Sequence, residues 1–271
     1  MPGVEKNLTI LTAWARDVII AVAFLTRLPV ARLLPLARML RKDDPDQPPK
    51  NLAQVAWAFP VVGVIVGGLA ALAFLIAHAI GVHLLAAALI ALALGVAVTG
   101  ALHEDGLADL ADGFGGGATI EDKLVIMRDS AIGTYGMLAL VFSVGIRAAA
   151  LAGMSGAGTA AVSLITAAVV SRALVVGVMT GLPAARSDGL GAGAGKPETG
   201  AFLTAIAIAA VAAFVLSGAV AWILLAAGGL ATLAVMALAK RQIGGQTGDV
   251  LGATQQVSEI AILLAAAAVL G

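Results

Sequence analysis

Apolar residues run along the chain in uninterrupted blocks separated by short polar stretches. Seven blocks read as membrane-spanning helices: approximately Val55–Ile80, Leu84–Leu102, Met137–Gly153, Thr159–Leu182, Ala201–Leu216, Gly218–Ala239 and Leu251–Leu270. About 20 residues at ~1.5 Å rise cross the hydrocarbon core, and apolar blocks of ~18 residues or more are read as spans on that basis. The 39 residues from Ala201 to Ala239 carry no charge. A single helix of that length would be about twice the bilayer core, so a reversal is expected near Ser217-Gly218. Gly67-Gly68 and the many alanines suit close helix–helix approach in lipid.

A further segment, Leu8–Val30, is apolar but contains Arg16, Asp17 and Arg27. It lacks a small-residue cleavage site and reads as an interfacial or half-inserted helix. The polar stretch from Arg41 to Pro49 is a linker rather than a second domain. The expected fold is therefore all-α: a polytopic transmembrane helical bundle of about 7 spans plus that N-terminal helix, with residues 1–271 as one integral-membrane domain.

Composition points the same way. The chain is 61% hydrophobic and 12% charged, whereas a soluble domain is about 45–50% apolar and about 25% charged. Cysteine is absent, which removes disulfides and thiolate metal sites. A net charge of zero argues against nucleic acid as a partner. Of the 16 Lys and Arg residues, eight precede residue 51, two lie in 103–136, two in 183–200, and Lys240 and Arg241 share the next connection. The turns near Gly81–His83, Ser155–Gly158 and Ser217-Gly218 hold none, so cations mark alternate loops. By the positive-inside rule the loops 103–136, 183–200 and 240–248 face the cytoplasm.

Against this apolar background, THR99–Gly117 (TGALHEDGLADLADGFGGG) gathers Glu104, Asp105, Asp109 and Asp112 within nine positions. If Leu102–Gly113 is helical and continues the preceding span, Asp105, Asp109 and Asp112 share one face. Three like charges on one stripe repel unless a cation sits among them, and a hard divalent ion, Mg²⁺ or Mn²⁺, suits oxygen ligands. Glu104 points away from that stripe, and His103 sits between faces. His78 and His83 read as interfacial residues. Downstream, MRDSAIGTYG (127–136) offers Arg128 for a phosphate, Asp129, Ser130, and glycines at 133 and 136 that allow close backbone approach. The Gly-rich loop Gly181–Gly200 is read as a linker or as a lid in which Arg186 and Lys196 cover an anionic substrate. Asp249 stands at the start of the last span, with Gln256 on its face and Glu259 deeper. Arg147 and Arg172 are expected to face the bundle interior, pairing with acids or binding phosphate. Acids, a hard cation, arginines and glycine loops suit phosphoryl or phosphodiester transfer. No Walker or kinase motif is present.

HEDGLADLADGFGG (103–116), KLVIMRDSAIGTYG (123–136) and GGQTGDVLGA (244–253) resemble the cobalamin synthase, or adenosylcobinamide-GDP ribazoletransferase, family. FLTRLPV (24–30), FPVVGVIVGG (59–68) and ARSDGLGAGAG (185–195) resemble it as well. The resemblance implies transfer of the adenosylcobinamide-phosphate group to α-ribazole or its 5′-phosphate, with release of GMP. It implies Mg²⁺ dependence, with Mn²⁺ as an alternative, a place in the bacterial inner membrane with its lipid, and a site facing the cytoplasm. Asp105, Asp109 and Asp112 would hold metal and diphosphate. Asp129, Asp249 and Glu104 would complete the acidic site or act on the nucleophile, with Glu104 counted among the metal ligands. His103, Arg128, Ser130, Gly133, Arg186, Gln246 and Thr247 would contact substrate. A homo-oligomer is compatible with this reading. Two alternatives stand beside it. A CDP-alcohol phosphatidyltransferase also uses a membrane-edge aspartate cluster, but its usual Ala-Arg pair and i,i+4 aspartates are not matched by Asp105-Gly106-Leu107-Ala108-Asp109 and Asp112. A cation or proton transporter would place acids near the midplane.

Overall fold

The structure is a computed structural model that describes residues 2–30, 51–189 and 193–271, with side chains from residue 12 onward. The Arg41–Pro49 linker lies outside the described residues. The described chain is helical: α1 (Pro2–Leu25), α2 (Leu52–Ala79, with one 3-10 turn), α3 (Leu84–Thr99), α4 (Leu102–Gly116), α5 (Ile120–Ile126), α6 (Thr134–Ala152), α7 (Ala157–Gly181), α8 (Thr199–Ser217), α9 (Ala221–Ile243) and α10 (Gly248–Leu270). Helices that are apolar all round satisfy their backbone internally, which lipid requires. α7 is the hub. It is the most deeply buried of the long apolar helices, and it packs against α2, α8, α9 and α10. Gly63 and Gly67 of α2 let the α7 backbone approach closely; Gly68, the other half of the expected pair, faces open space.

Among the described residues five helical stretches are long and apolar enough to cross a membrane, and a sixth arises if α3 and α4 count as one bent span. One of the five is the 45-residue stretch Thr199–Ile243. It is interrupted at Gly218, which has a φ of 56°. The rings of Phe214 and Trp222 meet edge to face at 4.9 Å, although eight residues of straight helix would separate their Cα atoms by about 12 Å. The chain therefore folds back at this point, where the charge-free run is too long for one crossing. α1, which carries Arg16 and Asp17, is not among the five; it leans on α2, where Trp57 Nε1 donates to Asp17 Oδ2 at 3.2 Å.

The acidic helix forms as expected, but it does not continue the preceding span. α3 stops after 16 residues, and α4 leaves it at 92°. Gly100 and Ala101 both adopt left-handed backbone, with φ of 66° and 59°. Glycine accepts that conformation freely, whereas at Ala101 it costs roughly 1 kcal/mol. The FLTRLPV segment straps the corner: the Arg27 N–H donates to Val98 O at 2.7 Å, and the Arg27 side chain fills the space where a Cβ on Gly100 would stand. The bend lays α4 across α6 and α10. Its acids are thereby turned toward the ends of those helices instead of along the axis of α3.

Candidate active site

α4 carries its functional residues on two faces. Gly106 sits where α4 crosses α10, and a Cβ there would come within 3.0 Å of the Asp249 Cα; one on Gly252 would come within 3.2 Å of the Gly106 Cα. This glycine-on-glycine crossing brings Asp105 and Asp249 together from distant parts of the sequence. Asp109 feels the charges of Asp105, Asp249 and Asp112, opposed only by Arg186, and Asp249 feels Asp105 and Arg186 in turn. Asp105, exposed, and Asp109, half-buried, face an open basin of ≈ 430 Å³. Arg128, Asp129 and Ser130 line the same basin, so the acidic motif and MRDSAIGTYG meet there. On its other side Asp105 lines a second, narrower cavity of ≈ 140 Å³, together with His103, Arg186 and Asp249. The rest of its lining is mostly apolar and includes Phe24, Phe59, Val175 and Met179.

Two of the expected metal ligands are otherwise engaged. Asp112 is buried, and its carboxylate accepts from the Gly133 N–H at 2.7 Å and the Gly136 N–H at 2.8 Å. It caps the N-terminus of α6, where a carboxylate satisfies orphan amides and favours the helix dipole. The glycines at 133 and 136 thus approach Asp112 rather than a phosphate. Glu104 points away from the stripe into the bundle. It accepts from Gln256 Nε2 at 2.9 Å and lies 3.7 Å from Arg147. Among the described residues no group of three or more His, Asp or Glu side chains converges as a ready-made metal site. The like-charged set facing open space is Asp105 and Asp109 at i,i+4 spacing, with Asp249 beside them.

The start of the Gly-rich loop is joined to the turn before α10 by backbone hydrogen bonds. Gln246 N–H donates to Pro183 O at 2.8 Å and Ala185 N–H to Gln246 O at 2.9 Å, pinning the start of the 183–189 loop to the turn before α10. Arg186 is held 3.6 Å from Asp249. Thr247 is buried; its hydroxyl accepts from the Val250 N–H and donates to Asp249 Oδ2 at 3.1 Å, so it caps α10 and orients that carboxylate. Arg128 pairs with Asp188 at the surface, and Asp129 accepts from the Ala131 N–H at 3.0 Å within a local turn.

Behind α4 lies a polar network that sequence reasoning reached only in part. Arg147 faces the interior and pairs with Glu259 at 3.0 Å as well as with Glu104. Gln255 donates to Glu259 and to Ser171, and Ser143 donates to Gln256. A small cavity lies among Glu104, Arg147, Gln255 and Glu259; Arg172 lines it too and donates to Ala168 O at 3.0 Å. His103, buried, lines both this cavity and the apolar-walled one. Gln255, Val175 and Met179 carried no sequence signal beyond their place in apolar runs, whereas Phe24 and Phe59 fall in the FLTRLPV and FPVVGVIVGG motifs.

The family model described as cobalamin-5-phosphate synthase matches residues 17–267. An adenosylcobinamide-GDP ribazoletransferase of Bradyrhizobium diazoefficiens is 44% identical, over 99% of this chain and 98% of the relative. The protein of that name from Azorhizobium caulinodans is 48% identical over 80% of this chain and 84% of its own length. Its counterpart from Mesorhizobium japonicum is 44% identical over 94% and 93%. No solved structure matches the chain. A family match across nearly all its helices, with full-length relatives above 40% identity, places this chain in the cobalamin-5-phosphate synthase family.

Proposed function

We propose that the chain is an adenosylcobinamide-GDP ribazoletransferase working at the last assembly stage of cobalamin synthesis, with α-ribazole or its 5′-phosphate as acceptor. The observation that carries this reading is the near-complete match to relatives bearing that name. Neither a CDP-alcohol phosphatidyltransferase nor a transporter gains support from the comparisons.

In the proposed reaction a ribose hydroxyl oxygen of the acceptor bonds to the phosphorus carried by cobinamide. The bond from that phosphorus to the GMP oxygen breaks, GMP leaves with the electron pair, and the hydroxyl proton passes to a carboxylate. Asp105 is favoured for that contact because it lines both the open basin and the narrower cavity. Arg128 and Ser130, at the rim of the basin, would bind the diphosphate. Arg186 would hold Asp249 in place and add positive charge beside the reacting phosphates.

The residues fit a divalent cation in a restricted way. Mg²⁺ is usually held by one or two carboxylates plus substrate phosphates, and Asp105 and Asp109, with Asp249 nearby, form such a partial set crowded by like charge. Those residues would hold the ion, which when bound would neutralise the diphosphate. Asp112 and Glu104 leave the proposed ligand set. The cationic loops support a cytoplasmic orientation of the site in a bacterial inner membrane.

The test is GMP release by the purified full-length chain. Release that requires adenosylcobinamide-GDP, α-ribazole and Mg²⁺ together is expected. Release without α-ribazole, or none with all three present, would contradict the proposal.

A further inference from the structure

The two cavities that share Asp105 differ in chemistry, and the proposed reaction has two substrates that differ in the same way. The basin is open, ≈ 430 Å³, and rimmed by Arg128, Asp129 and Ser130. The second cavity is ≈ 140 Å³ and is apolar over most of its wall. Phe24 and Phe59 supply aromatic surface and Val175 and Met179 of α7 aliphatic surface, while the charged lining groups are Asp105 and the paired Arg186 and Asp249. Resting on the function proposed above, we infer that this cavity is the acceptor's base pocket: it takes the planar, apolar bicyclic base of the ribazole nucleoside and leaves the ribose at the Asp105–Arg186 end.

Size excludes the other partner. Pockets for drug-sized ligands run to about 300–1,000 Å³, so ≈ 140 Å³ accommodates one base and not a corrinoid or a whole nucleotide. Polarity disfavours guanine, whose amide and amino groups would lose hydrogen bonds wherever they met the Phe and Val side chains. A benzimidazole-type base has an apolar edge and two faces that pack against aromatic rings. The amphipathic order of the cavity matches that of the nucleoside: apolar base inward, hydroxyl-bearing sugar toward the carboxylates. The sugar would then reach past Asp105 into the mouth of the basin, where its hydroxyl oxygen meets the phosphorus with the carboxylate beside both. His103, on the cavity wall, is the one buried imidazole near the sugar end.

Two measurements test the assignment. In the full-length protein, Val175→Phe fills the cavity, and KM is determined separately for each substrate. The expected result is a rise of about tenfold or more in KM for α-ribazole, the scale that small shape changes produce in an apolar pocket, with KM for adenosylcobinamide-GDP unchanged. A rise confined to adenosylcobinamide-GDP, or equal for both substrates, would overturn it. The second measurement uses unaltered protein, so folding of a variant does not enter. Isothermal titration compares α-ribosides of benzimidazole, dimethylbenzimidazole and a three-ring homologue. Binding of the first two with loss of the third is expected. Equal binding of all three, or of guanosine in their place, would overturn the assignment. Absence of GMP release by unaltered protein would instead remove the reaction itself, an outcome distinct from failure of the base pocket.

Discussion

Replacing Arg147 with methionine removes one of the two cations, Arg147 and Arg172, that face the buried acids Glu104 and Glu259, and the one in direct contact with both. Arg147 is only 3% exposed and lies 3.0 Å from Glu259 Oε1 and 3.7 Å from Glu104 Oε1. At an effective dielectric of about 20, each such contact carries roughly 4–6 kcal/mol of Coulomb attraction. Desolvation offsets much of that in the intact pair, but a buried partner stranded by removal of its counter-charge costs about 3–5 kcal/mol. Methionine fills similar volume, so little of the loss comes from a cavity. Arg147→Met is therefore expected to lower unfolding free energy by about 3–5 kcal/mol, read by denaturant titration in detergent micelles. Arg147→Met/Glu259→Leu should recover part of that loss, because one of the stranded charges is gone. Activity should fall as well, since Glu104 is the residue next to Asp105 and anchors the back of α4. Stability of Arg147→Met within about 1 kcal/mol of the unaltered protein, or no recovery in the double variant, would refute the reasoning.

Three further outcomes follow from the same geometry. Asp112→Ala strands the Gly133 and Gly136 amides and removes the cap of α6, so it should cost about 2–4 kcal/mol of stability; Asp109→Ala, facing the basin, should cost activity and leave the denaturation midpoint nearly unchanged. Gly252→Val pushes against the Gly106 Cα and should abolish GMP release while destabilising the fold by about 1–3 kcal/mol, checked by parallel turnover and melting measurements. Chelation of divalent ions should stop GMP release and added Mg²⁺ restore it, with helix content by circular dichroism unchanged, because the carboxylates proposed as ligands are not the ones that hold helices together.

Helices and their approximate limits were legible because apolar blocks that long have few other solutions. The reversal at Gly218 was legible for the same reason: 39 uncharged residues exceed a bilayer. The bend between α3 and α4 was not. It depends on Ala101 taking a left-handed backbone and on Arg27 packing on Gly100 from 73 residues away, neither of which is a local signal. That bend also decided which acids share a cavity. Spacing placed Asp105, Asp109 and Asp112 on one stripe, which is sound for a helix. It could not show that the Gly133 and Gly136 amides occupy the last of them. Arg147 was read as an interior residue that pairs with acids, and it does, since a charge in a span must find a partner. The apolar-walled cavity stayed invisible, because its wall is made of ordinary core residues from α1, α2 and α7 that only the fold brings together.

The central claim is that the carboxylate between the two cavities carries the chemistry. Its most direct test is GMP release by Asp105→Asn under saturating adenosylcobinamide-GDP, α-ribazole and Mg²⁺, with folding verified by an unchanged denaturation midpoint. Turnover is predicted to fall by at least about a hundredfold, the scale on which a positioned acid or base acts. Turnover equal to that of the unaltered protein would contradict the claim.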